Sequence, residues 1–190
     1  DEIHADILIQ KSYTPILTLA NANEAKIITC IAPTKTFNIA GIHAAMIVTP
    51  NKKLFTALEK NMQAHGNLGL NVFACTAVSA VYNEGGAWLD DLLLYLKNNM
   101  DYLAQELNAI EGINVKIPDA TYLMWIDYRA TGIEEKEMMN RLLTIGQVAL
   151  DPGTKYTEAG RGFLRINVAC PFDTLKVGVE GIKKTLQTFK

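Results

Sequence analysis

The chain has 190 residues, 49% of them hydrophobic and 20% charged, and a net charge of −2. That length buries a substantial core and suits one large domain, or one domain with part of another. With no basic stripe and a near-neutral balance, a nucleic-acid groove and an anionic membrane surface are excluded as expected partners. Three cysteines, Cys30, Cys75 and Cys170, are too few and too scattered for a disulfide framework or a metal knuckle. Their apolar settings predict buried free thiols and a reducing cytoplasm. The longest apolar stretch, residues 39–48, is far shorter than a membrane span. The chain opens on Asp1 with neither Met nor leader, which predicts a fragment of a longer protein.

In chain order, residues 26–32 (KIITCIA) predict a short buried strand ended by Pro33, and residues 43–49 (HAAMIVT) a second ended by Pro50. Neither alternates with polar residues, which predicts a sheet covered on both faces and hence an α/β protein. Asn51 predicts a helix cap, with Leu54, Leu58 and Met62 on one face of the helix that follows. Residues 73–82 predict another helix. Residues 87–110 predict the longest, roughly 35 Å at 1.5 Å per residue, with Leu89, Leu92, Leu96, Met100, Leu103 and Leu107 at steps of three and four.

After this helix the texture changes. INVKIP, TYLMWIDY, QVALDPG and FLRINVA read as strands, with a helix over 134–145 between the second and third. A last helix is expected from an Asp173 cap through Leu175, Val179, Ile182, Leu186 and Phe189. This is the pattern of a small α+β domain with a mostly antiparallel sheet. The expected division lies near residue 95, inside the long helix.

Three residues stand out. Lys35 sits at the end of the first apolar strand, in APTKTFNIAG; taken alone it reads as a surface lysine. Asp1 reads equally well as a polar chain end. Arg165, in the middle of the apolar run FLRINVA, must find an anion or reach solvent, and a structural salt bridge satisfies it. Together, an aspartate, a lysine and an arginine beside apolar strands match the needs of pyridoxal phosphate. That cofactor uses a lysine for its Schiff base, a carboxylate at its pyridine nitrogen and a cation for the substrate carboxylate.

DEIH, APTKTFNIAG and GFLRINVACP resemble motifs of the fold-type I pyridoxal-phosphate enzymes, the class I/II aminotransferase superfamily. YNEGGAWLDDLLLYLKNN, ATYLMWIDYR and DPGTKYTEAGRGFLRIN narrow the resemblance to the cystathionine β-lyase group that includes the maltose-regulon modulator. The resemblance covers the whole chain but only the C-terminal half of such an enzyme. It implies an α/β fold: residues 1–95 as the remnant of the large parallel-sheet, cofactor-binding domain, and residues 96–190 as the small C-terminal α+β domain.

The resemblance also implies roles. Lys35 would carry the cofactor as a Schiff base, and Asp1 would keep the pyridine nitrogen protonated. His4 stands where many relatives have a tyrosine at the ring hydroxyl, and Thr34 would donate to the phosphate. Arg165 would fork the substrate carboxylate, and Tyr122 would line the site. Asn38 is a motif residue with a structural role. Two positions depart from the wider superfamily: His43 stands where a phosphate-gripping arginine is common, and Ala32 where a serine is common. His43 itself reads as a half-buried strand histidine.

The implied activity is carbon–sulfur β-elimination on sulfur amino acids by a cytoplasmic homodimer, with amino-acid substrates and no metal. The half-chain alone is expected to be inactive. An aminotransferase and a non-catalytic regulatory relative are the alternatives.

Overall fold

In the computed structural model, residues 1–19, 21–22, 25–67 and 69–187 are described. Proline and asparagine set the first boundaries. Strand β1 (Thr29–Ile31) leads through an extended Ala32 into a single helical turn, α1 (Pro33–Thr36). Pro33 occupies the first turn, where a helix needs no backbone N–H from it. Strand β2 (Met46–Val48) returns beside β1 with Thr29 opposite Val48 and Ile31 opposite Met46.

This pair is antiparallel and two-stranded, and it is not covered on both faces as the unbroken apolar runs predict. The connection of α1 and a 3₁₀ turn reverses the chain directly, so no crossover forms. Ile47 and Val48 stay 43% and 37% exposed. Cys30 on β1 is exposed as well, and so is Cys75, against the expectation of buried thiols; Cys170 is half-buried. The thiols of Cys30 and Cys75 lie on surfaces that nothing in their own unit covers.

The side chain of Asn51 caps helix α2 (Lys52–Ala64), its Oδ1 accepting from the N–H of Lys53 and of Leu54, both at 3.1 Å. Leu54, Leu58 and Met62 form its half-buried face. Asn71 does the same for helix α3 (Val72–Glu84), accepting from the N–H of Ala74 at 2.9 Å. Helix α4 (Gly86–Asn108) runs for 23 residues. The chain divides into two compact units, Asp1–Leu93 and Leu94–Lys190.

The second unit is built on an antiparallel sheet of β3 (Asn114–Val115), β4 (Leu123–Asp127), β5 (Asp151–Pro152) and β6 (Phe163–Asn167), in the order β3-β4-β6-β5. On β4 and β6 burial alternates with a period of two. Met124, Ile126, Leu164 and Ile166 point into the core with Leu96, Met100, Leu103 and Leu107 of α4. Burying each such side chain is worth about 1.5–3 kcal/mol. Trp125 and Arg165 face the other way.

Helix α5 (Glu135–Arg141) passes into a π turn over Leu142–Gly146, and together they cover the helix expected over 134–145. Helix α6 (Phe172–Gln187) buries Leu175, Val179, Ile182 and Leu186. Asp173 lies in its first turn and pairs with Lys176 at 2.6 Å, so it complements the helix dipole instead of capping the end. Phe189, expected on the same face, lies outside the described residues. No helix among the described residues is long and apolar enough to cross a membrane, and they hold no cluster of potential metal ligands.

Candidate cofactor and carboxylate sites

In the first unit, the backbone N–H of Glu2 donates to the carbonyl of Cys30 at 2.8 Å. This bond ties the opening segment to β1, the strand that leads into Lys35. A second tie runs from the Thr36 hydroxyl to Asp6 Oδ2 at 3.0 Å. The exposed Asp1 carboxylate accepts from the N–H of Ile3 at 3.0 Å and so shapes its own turn. Along α1, Thr34 and Thr36 are buried and Lys35 between them is exposed. One helical turn thus anchors itself on two hydroxyl-bearing side chains and leaves the amine outside.

His4 is half-buried, and its pKa lies below the ordinary imidazole value, first because of burial and second because of the positive charge of Lys35. Burial and the lysine's charge thus both favour the neutral form of the imidazole. Asp1, His4, Thr34 and Lys35 all belong to this unit. Asn38 has φ 53°, a left-handed conformation that asparagine tolerates better than most residues, which fits a backbone role. His43 is not the half-buried strand residue expected: it is exposed, at φ 55°, and ends the 3₁₀ turn before β2. Its left-handed backbone closes that turn and keeps it out of the strand.

In the second unit, β6 carries Arg165 opposite Trp125 of β4 on one side and Asp151 of β5 on the other. The anion that a strand arginine requires is Asp151, whose Oδ2 accepts from Arg165 Nη2 at 2.9 Å. Tyr156 donates its hydroxyl to the same oxygen at 2.8 Å, and Lys155 Nζ reaches Oδ1 at 2.6 Å. The guanidinium carbon of Arg165 lies 4.4 Å from the centre of the Tyr156 ring. Trp125 meets that ring edge-on at 5.7 Å between centroids.

With three donors around it, led by Lys155, the Asp151 carboxyl is held well below the usual carboxylate range. Tyr122, half-buried just before β4, is the other predicted residue that this unit places near Arg165: burial raises its pKa and the guanidinium charge opposes that shift. The sequence reading missed Asp151, Lys155 and Tyr156. Their signal is the short run DPGTKY, in which D, K and Y follow at steps of four and one. Only the pairing of β5 with β6 gives the run a meaning.

The loop that carries them is set by two glycines. Gly153 and Gly160 are buried against each other's backbones, and a Cβ on either would overlap the other's carbonyl. This approach folds the eight residues 153–160 into two 3₁₀ turns and places Lys155 and Tyr156 beside the end of β5.

The chain matches the model of the family described as aminotransferase class I and II over residues 1–182. It is 40% identical to the cystathionine β-lyase PatB of Bacillus subtilis, across 98% of this chain and 49% of that protein. It is 33% identical to the protein MalY of Escherichia coli, across 100% of this chain and 49% of that one. Among solved structures it superposes on cystalysin from Treponema denticola, which contains a pyridoxal 5′-phosphate cofactor, with a TM-score of 0.94 and 29% identity, covering all of this chain and 49% of that one. The PLP-bound C–S lyase from Staphylococcus hominis gives 0.85 and 31%, over 98% of this chain and 48% of that one. The chain thus spans about half the length of the relatives it matches, with the mixed helix-and-sheet fold of PLP-dependent transferase-like proteins over that half. A match over nearly its whole length, borne by both units, settles its kinship: the chain belongs to the aminotransferase class I and II family.

Proposed function

We propose that the whole protein carrying this chain is a pyridoxal-phosphate-dependent carbon–sulfur β-lyase of the cystathionine β-lyase type, acting on sulfur amino acids. The observation that carries this reading is the 40% identity to a cystathionine β-lyase over 98% of the chain. In this reading residues 1–95 are the remnant of the large cofactor-binding domain and residues 96–190 the small C-terminal domain, and the protein works as a homodimer in the cytoplasm. By itself the half-chain is inactive.

The donor set of the first unit fits the cofactor. An exposed lysine amine, a neutral imidazole beside it, a carboxylate on the neighbouring turn and a buried threonine hydroxyl are the groups a phosphorylated pyridine aldehyde requires. Lys35 would be the covalent attachment point, Asp1 would serve the pyridine nitrogen, His4 the ring hydroxyl and Thr34 the phosphate. When bound, pyridoxal phosphate supplies a ring that spreads the negative charge left as a substrate's α-carbon loses its proton.

The chain's own residues do the rest. Arg165 holds the substrate carboxylate and Tyr122 lines its site. The Lys35 amine would take the α-proton as general base. A negative charge at Asp1 favours the protonated ring nitrogen. Departure of a β-sulfur as thiolate then yields pyruvate and ammonia after hydrolysis.

Incubating the whole protein with cystathionine should release pyruvate and a thiol. Amino transfer that depends on a keto acid and releases no pyruvate would instead establish the aminotransferase reading, to which the matched family's description points.

A further inference from the structure

Arg165 is held by side chains of its own unit. Two contacts fix it: the single bond from Nη2 to Asp151, and the Tyr156 ring against its face. The carboxylate that holds it is itself held by Lys155 and by the Tyr156 hydroxyl. The ring that supports the guanidinium therefore also anchors its counter-ion, and the close approach of Gly153 and Gly160 sets the loop bearing both.

A guanidinium has five N–H donors arranged as two forks. Among the described residues one bond, to Asp151, spends one of them and leaves a complete two-donor fork unspent. We infer that Asp151, braced by Tyr156, is a positioning residue that pre-orders Arg165 for a substrate carboxylate. It does so without being displaced when that carboxylate binds.

The inference rests on the proposed role of Arg165 as the carboxylate holder. A free arginine side chain must lose its rotamer freedom on binding; here most of that ordering is already built into the fold. The selectivity implied is for α-amino acids over the corresponding amines.

The test compares an α-amino acid with the amine of the same side chain that lacks the carboxylate. Their binding to the cofactor-loaded whole protein is read from the absorbance change of the bound cofactor. Asp151→Ala should weaken amino-acid binding by about tenfold and leave amine binding as it was, because loss of pre-ordering is felt only where a carboxylate is gripped. Asp151→Asn, which keeps an oxygen to accept from Arg165, should retain most of the affinity. In turnover the loss should fall on KM and not on kcat.

Amino-acid binding that is equal or tighter in Asp151→Ala would overturn the inference, making Asp151 a bystander or a competitor for Arg165. An equal loss for acid and amine would overturn it too, as general damage to the fold. Arg165→Ala separates the underlying reading: if it still prefers the amino acid over the amine, Arg165 does not hold the carboxylate and the inference falls with that reading. If the preference vanishes in Arg165→Ala but survives intact in Asp151→Ala, only the role of Asp151 fails.

Discussion

Lys35 and His4 lie 31 positions apart, yet the imidazole senses the lysine's charge, because the opening segment is hydrogen-bonded to the strand that delivers the lysine. Two causes depress the imidazole pKa, burial before the lysine's charge. Lys35→Met removes the second, so the His4 pKa should rise but stay below the ordinary value; a histidine NMR titration measures both. The sign for stability follows. A histidine depressed by folding binds fewer protons in the native state than in the unfolded one. His4 therefore costs nothing above its unfolded pKa and destabilises the chain as pH falls below it. His4→Gln should flatten that acid-side decline in a denaturation series. Deleting the Thr36 hydroxyl with Thr36→Val should cost about 1 kcal/mol, the net worth of one hydrogen bond, by separating the opening segment from α1.

Among the elements, the long helix α4 hides one polar side chain, Asn99, only 1% exposed. Its amide donates to the carbonyls of Val168 at 2.8 Å and Cys170 at 3.1 Å, holding the segment between β6 and α6 against the helix. Asn99→Ala would strand two carbonyls and should cost about 2 kcal/mol, seen as a lower urea midpoint at unchanged slope. The π turn and α6 meet at Gly146 and Gly181, where a Cβ on Gly181 would overlap the Gly146 carbonyl and the Val148 side chain. Gly181→Ala should destabilise the second unit by about 1–3 kcal/mol, despite alanine's better helix propensity, because the crossing cannot widen without unpacking α6. Much of this scale was legible. The cap at Asn51 and the apolar stripe of α4 rest on short spacings that a sequence displays directly; the cap at Asn71 came only with the structure. The π character of the turn that follows α5 was not legible, since that turn packs against α6.

At the scale of the whole molecule, the two units differ in how well they bury themselves. The second has a continuous core of fully buried Leu, Ile and Met side chains. The first leaves Val72 and Phe73 76% exposed, along with Phe55, Ile47 and Ile28. Apolar surface on that scale marks a face built to be covered. Purified alone, the 190-residue chain should associate as its concentration rises, measured by light scattering, and should show far less of the bound cofactor's visible absorption than the whole protein. Monomeric behaviour with full cofactor uptake would contradict both the proposed division of the chain and the inactivity of the half.

The sequence by itself determined the family, the two textures on either side of the long helix and the antiparallel character of the second sheet. Each is written in local period, capping residues or contiguous motif. Tertiary structure decided the antiparallel pairing of β1 with β2, the exposure of Cys30 and Cys75, and the anion that Arg165 finds. Those depend on which backbone lies beside which: Asp151 meets Arg165 only because β5 pairs with β6 in one register, and Asn99 meets Val168 across 69 positions. A partner that distant leaves no periodic trace near either residue.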